Sequence, residues 1–88
     1  MEKNIDYYMG LNYPVAIERI SEEDGGGFFA SISLLPGCMS DGETLEEAYE
    51  NIENAKKEWL RSMLERGMNI PEPADQEEFS GKFLVRLP

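Results

Sequence analysis

Apolar residues recur at three- and four-residue spacings along Leu45, Ala48, Tyr49, Ile52, Ala55, Trp59, Leu60, Met63 and Leu64, with Lys56 the one interruption. This period belongs to an amphipathic α-helix, and the methylene stem of a lysine can lie along such a stripe. Residues such as Glu46, Glu50, Asn51, Glu53, Asn54 and Glu58 fill the opposite face. Thr44 is placed to cap the helix, with Glu47 three residues later completing a capping box. Gly67 is placed to stop it as a left-handed C′ residue. Each large stripe side chain is expected to contribute roughly 1.5–3 kcal/mol on burial.

The rest of the chain must supply a surface for that stripe. Asn4 predicts the cap of a short helix in which Ile5, Tyr8 and Met9 share a side. From Tyr13 to Ile20 the pattern alternates, with Tyr13, Val15 and Ile17 on one side and Ala16 and Glu18 on the other. Pro14 belongs at the start of that strand or on an unpaired edge. The stretch Ser21–Gly27 is acidic and glycine-rich, which predicts a hairpin connection. A second strand is expected over Phe28–Leu35, with Phe28, Ala30, Ile32 and Leu34 inward and Phe29, Ser31, Ser33 and Leu35 outward. Pro36 and Gly37 bend the chain into a short third strand, Cys38–Asp41. These elements predict an α+β fold, a three- to four-stranded antiparallel sheet with the long helix across one face.

Beyond Gly67, the segment Asn69–Pro73 reads as extended, and Ala74–Glu78 is acidic. Gly81–Pro88 alternates again, Phe83, Val85 and Leu87 opposite Leu84 and Arg86. An apolar strand there needs a partner in its own sheet or in another protomer. Phe83, Val85 and Leu87 are therefore the expected oligomer interface, giving a dimer or tetramer. The organisation expected is one domain over residues 1–79 followed by a strand over 80–88.

Composition narrows the function classes. The 88 residues carry a net charge of −10 and 41% hydrophobic residues, enough apolar content for one small folded domain. Such charge opposes binding to a phosphate backbone, which depends on lysine and arginine displacing counterions. A basic partner would be steered toward it, while from composition alone the plainer reading is a charge that keeps a small domain soluble. Lacking paired cysteines, a secretory start and an apolar run of membrane-spanning length, the chain is expected in the cytoplasm and off the membrane. Cys38 has no histidine in the chain to activate it, so it reads as a core residue. The glycines at 25–27 have no following helix, so they read as a hairpin and not a phosphate cradle.

Several stretches together carry a family resemblance. They are Tyr7-Tyr8, Tyr13-Pro14-Val15, the run Glu22 to Ala30, and Leu35-Pro36-Gly37-Cys38-Met39-Ser40-Asp41-Gly42. They continue through Thr44 to Ala48, Asn51-Ile52, Ala55, Trp59 and Ile70-Pro71-Glu72-Pro73. In this order and at these separations the chain resembles a HicB-type antitoxin, specifically its N-terminal partial RNase H-like domain. The resemblance implies a partner, a small basic HicA-like toxin that cleaves RNA, whose active surface the antitoxin masks. It also implies autorepression in longer members that carry a C-terminal DNA-binding domain. Residues 80–88 resemble the opening strand of a ribbon-helix-helix domain, so DNA binding is expected only of a longer form.

On this basis Glu22, Glu23, Asp24, Phe29, Asp41 and Glu43 are the candidate toxin-binding residues. Solvated turns are the competing explanation for the acids among them. An RNase H likeness also raises a nuclease reading, in which clustered carboxylates hold two Mg²⁺ ions. The acids here fall in turns and on the helix's solvent side, and the chain has no histidine. No catalysis, metal or cofactor is therefore expected.

Overall fold

A computed structural model describes residues 3–73. Its elements run α1 (Ile5–Met9), β1 (Ala16–Arg19), a 3-10 turn (Glu22–Asp24), β2 (Phe28–Ser31), β3 (Met39–Gly42) and α2 (Leu45–Glu65). The strands form one antiparallel sheet in the order β1-β2-β3, and α2 packs on it as the α+β reading requires.

Helix α2 begins where its cap predicts. Thr44 Oγ1 accepts from the Glu47 N–H at 3.0 Å, a cap worth about 1 kcal/mol. The reciprocal bond lands one residue earlier than a standard capping box, Glu47 Oε1 accepting from the Glu43 N–H at 2.7 Å. At the other end Gly67 takes φ 67°, while its N–H reaches Leu64 O at 3.2 Å and that of Met68 reaches Met63 O at 3.0 Å. This is the Schellman arrangement expected of a glycine at C′.

The helix buries Ala48, Ile52, Lys56 and Leu60 against Ala30, Ile32, Leu35 and Cys38. Lys56 is only 4% exposed; its ammonium sits 3.1 Å from Glu53 Oε1 and 5.8 Å from the Tyr13 ring centre. Leu45 and Tyr49 depart from the expected stripe, being 53% and 51% exposed. The period placed them on the apolar side, but in these first turns only Ala48 is buried, its backbone against Gly42 of β3, and its stripe neighbours are left exposed. Asn51, expected in solvent, instead donates to the Asp41 carbonyl at 2.8 Å and ties the helix to β3.

A second departure concerns Leu35, expected on the outward face of a strand reaching that residue. β2 ends at Ser31, and the Leu35 N–H bonds Ile32 O at 3.0 Å while the Cys38 N–H bonds Leu35 O at 2.9 Å. These turns break the two-residue alternation, and Leu35 swings inward to full burial. Trp59 fastens the same turn by donating Nε1–H to Pro36 O at 2.9 Å.

A clasp joins α1 to the segment after α2. Glu72 accepts from Lys3 Nζ and from the Tyr7 hydroxyl, each at 3.0 Å, and the Tyr13 hydroxyl donates to Pro71 O at 2.5 Å. These partners hold the Glu72 carboxyl below its ordinary range, Lys3 contributing most. Burial, reinforced by the Glu72 charge, pushes the Tyr13 hydroxyl up to about 12.

Candidate functional site

Strand register decides what each face of the sheet presents. Residues directly opposite one another share a face. Glu18 lies opposite Phe29, and Phe29 opposite Asp41; Ala16, Ser31 and Met39 form the parallel row. This is the outer face, because the alternate row of Ile17, Ala30 and Ser40 contains the fully buried Ala30 and faces α2. Phe29 is therefore a half-buried aromatic with a carboxylate on each neighbouring strand. Met39 beside it is 52% exposed.

The hairpin between β1 and β2 closes with the Ile20 N–H on Gly27 O at 2.8 Å. Its acidic residues Glu22, Glu23 and Asp24 form the exposed 3-10 turn, where the Ser21 hydroxyl donates to Asp24 Oδ2 at 3.0 Å. The hairpin approaches the start of α2 through bare backbone. A Cβ on Gly27 would lie 2.6 Å from Gly42 O, and one on Gly42 would lie 2.4 Å from Ala48 N. Only glycine allows three backbones to meet this closely. The approach creates an open cleft of about 410 Å³, lined by Arg19, Ile20, Ser21, Glu22, Gly26, Gly27, Phe28 and Glu43.

The six candidate toxin-binding residues therefore separate into two places. Glu22 and Glu43 share the cleft, whereas Phe29 and Asp41 share the outer face. Glu23 and Asp24 stand exposed on the hairpin turn without lining the cleft. Two contributors lay outside the expected set. Arg19 enters the cleft with its guanidinium 5.6 Å from the centre of the Phe28 ring, and Glu18 flanks Phe29. Counting back from a hairpin closed by Ile20 and Gly27 would have placed Glu18 opposite Phe29. The oligomer candidates Phe83, Val85 and Leu87 lie outside the described residues.

Other chemistry is sparse. Among the described residues no group of three or more histidine, cysteine, aspartate or glutamate side chains is gathered to hold a metal ion. Cys38 is buried, and its thiol is raised above the ordinary value chiefly by burial, with nearby Lys56 opposing and Glu53 adding to the rise. That environment suppresses the thiolate a nucleophile requires. No helix among the described residues is long and apolar enough to cross a membrane.

Comparison with known proteins gives a consistent result. A family model described as HicB-like antitoxin of bacterial toxin–antitoxin system matches residues 13–83. A UPF0150 protein of Synechocystis, ssl0259, is 39% identical over 61 residues, covering 69% of this chain and 80% of its own. A 14.9 kDa protein from the rep–hol intergenic region of Haemophilus phage HP1 is 33% identical over 67 residues, covering 76% of this chain and 47% of the phage protein. The crystal structure of TTHA0281 from Thermus thermophilus superposes with a TM-score of 0.60 at 28% identity, covering 76% of each chain.

Proposed function

This chain belongs to the HicB-like antitoxin family of bacterial toxin–antitoxin systems, and from that premise we propose that it binds and masks a small basic HicA-like toxin without catalysing a reaction itself. The observation that carries the reading is the run of exposed carboxylates along the hairpin turn and the start of α2, which meet at one cleft. Glu22 on the hairpin and Glu43 before α2 line one cleft, because Gly27 and Gly42 let the two backbones touch. Glu23 and Asp24 are exposed on the same hairpin turn, and Glu46, Glu47 and Glu50 are exposed in the first turns of α2. The basic residues of α2, the buried Lys56 and the exposed Lys57 and Arg61, lie in its second half.

This distribution fits steered encounter with a cationic partner. Such fields raise association rates by roughly 10–10³, and they act within a Debye length of about 8 Å at physiological salt. Steering alone does not give residence time, which depends on well-packed desolvated contacts. The outer face offers those contacts on a small scale: three strands span roughly 10 Å across and four residues roughly 13 Å along. A stable interface needs about 800 Å² per partner, so a complex must extend from that face onto the surrounding acidic elements.

The test uses the product of the neighbouring reading frame, if that frame encodes a short, basic, histidine-bearing protein. Co-expression is expected to relieve growth arrest by that protein, and the two are expected to co-purify. Replacing Glu22, Glu23 and Asp24 together by lysine should slow association at low salt by about tenfold or more and flatten its salt dependence. Absence of any complex at low salt, or growth arrest unrelieved by this chain, would remove the antitoxin reading.

A further inference from the structure

The sheet places an aromatic residue on each of its faces, and their surroundings differ. On the inner side, Phe28 lies opposite Arg19, whose guanidinium rests 5.6 Å from its ring centre. One residue further along, on the outer side, Phe29 lies opposite Glu18 and Asp41. The outer face carries Ala16, Glu18, Phe29, Ser31, Met39 and Asp41, with no lysine or arginine among them. Among the described residues, neither Glu18 nor Asp41 takes part in an ion pair.

We infer that the outer face seats a cationic side chain of the toxin, an arginine by preference, laid on Phe29 between the carboxylates of Glu18 and Asp41. The inference rests on the antitoxin reading for the identity of the partner. Its geometry follows from the register. Glu18 and Asp41 are on strands either side of Phe29, so their backbones lie roughly 10 Å apart across the face. A planar guanidinium can span that width, with its face on the ring and its donors directed to both sides. Arginine suits this better than lysine, whose compact ammonium holds its water more tightly and cannot present a fork. Met39 supplies adaptable apolar contact beside the ring.

Charge selects this occupant over a second copy of the chain. Two such faces stacked about a two-fold axis would set Glu18 and Asp41 of one protomer against the same carboxylates of the other. Like charges placed opposite one another in a sheet are destabilising. A basic surface meets the same groups with complementary charge.

The experiment is an amide-resolved NMR titration of the full chain with a capped glycine–arginine–glycine peptide and with its citrulline counterpart, which has nearly the same shape but no charge. The arginine peptide should move the signals of Glu18, Phe29, Ser31 and Asp41, and the citrulline peptide should not. Glu18→Gln with Asp41→Asn should weaken the arginine peptide about tenfold, and Phe29→Leu about two- to fivefold. The amide substitutions keep side-chain shape, and a dispersed spectrum confirms the fold of each variant. Movement confined to Glu22, Glu23, Asp24 and Glu43 overturns the seat, as does a response unchanged in these variants. So does concentration-dependent movement of the outer-face signals without peptide, which would put a second copy there.

A parallel measurement with the toxin separates the two readings. If the Glu18→Gln, Asp41→Asn protein binds the toxin as tightly as the wild type, the seat is overturned while the antitoxin reading stands. If the wild type fails to bind the toxin but the peptide moves the outer-face signals, the antitoxin reading falls and the cation seat is upheld.

Discussion

Adjacent residues of the same three strands meet opposite fates. Ile17, Ala30 and Ser40 face the helix, and Ala30 is fully buried there. Glu18, Phe29 and Asp41 face away, and α2 does not cover them. One row has its partner within the chain, while the other combines an aromatic with two carboxylates in the manner of a contact surface. A sheet covered on one side therefore gives one set of alternate residues to the core and leaves the other set open. Substitutions on the two rows meet different neighbours, so their effects should add except where a change shifts the backbone they share.

The sharpest way to break this division is at the junction that builds both rows. Gly42→Ala places a methyl 2.4 Å from Ala48 N and 2.7 Å from Glu47 C, against backbone that cannot rotate away. The expected cost exceeds the roughly 1–3 kcal/mol of ordinary overpacking. Loss of the cooperative urea transition would be the readout, and a stable Gly42→Ala protein would contradict the close approach.

The next effect tests the two faces directly. Ile52→Ala on the inner side removes a fully buried side chain and should cost about 2–5 kcal/mol. Met39→Ser on the outer side should change stability by no more than about 0.5 kcal/mol. Denaturation midpoints of the two proteins decide it. Similar losses would mean that the outer face is also part of the core.

The smallest effect concerns the clasp at Glu72. Its carboxyl is depressed by Lys3 and Tyr7, so its contribution is present above the unfolded value of about 4.3 and lost as pH falls through the lower folded value. The Lys3 ammonium, raised mainly by the same carboxylate, loses its share as pH rises through its own folded value. Melting temperatures of wild type and Glu72→Gln should differ at neutral pH and converge in acid. Parallel profiles down to low pH would show that the hydrogen bonds contribute nothing to stability.

Much of the fold was legible in local patterns. The 3.6-residue period, the Thr44 cap and the Gly67 terminus located α2 almost to the residue, because each acts within one or two helical turns. The alternation from Tyr13 onward identified the strands, and Asn4 capped α1 as expected, its side chain accepting from the Tyr7 N–H at 3.0 Å. Failures arose where a local period met a distant limit. Leu45 and Tyr49 fit the stripe but stay exposed because only Ala48 of the first turns is buried against the sheet, and Leu35 lost its alternation to turns closed by backbone hydrogen bonds.

The candidate site was less legible than the fold. Its acids are visible in the sequence as a charged hairpin and a charged helix start, and the family likeness rests on those same turns. Composition therefore determined that this chain offers negative charge to a partner, and periodicity determined which segments would carry it. Tertiary structure decided where that charge collects. Glu22 joins Glu43 because Gly27 and Gly42 lack side chains at a backbone contact, and Glu18 joins Asp41 because β2 sets the register between them. Both pairings link residues more than 20 positions apart, and no local period reports a contact made at that distance.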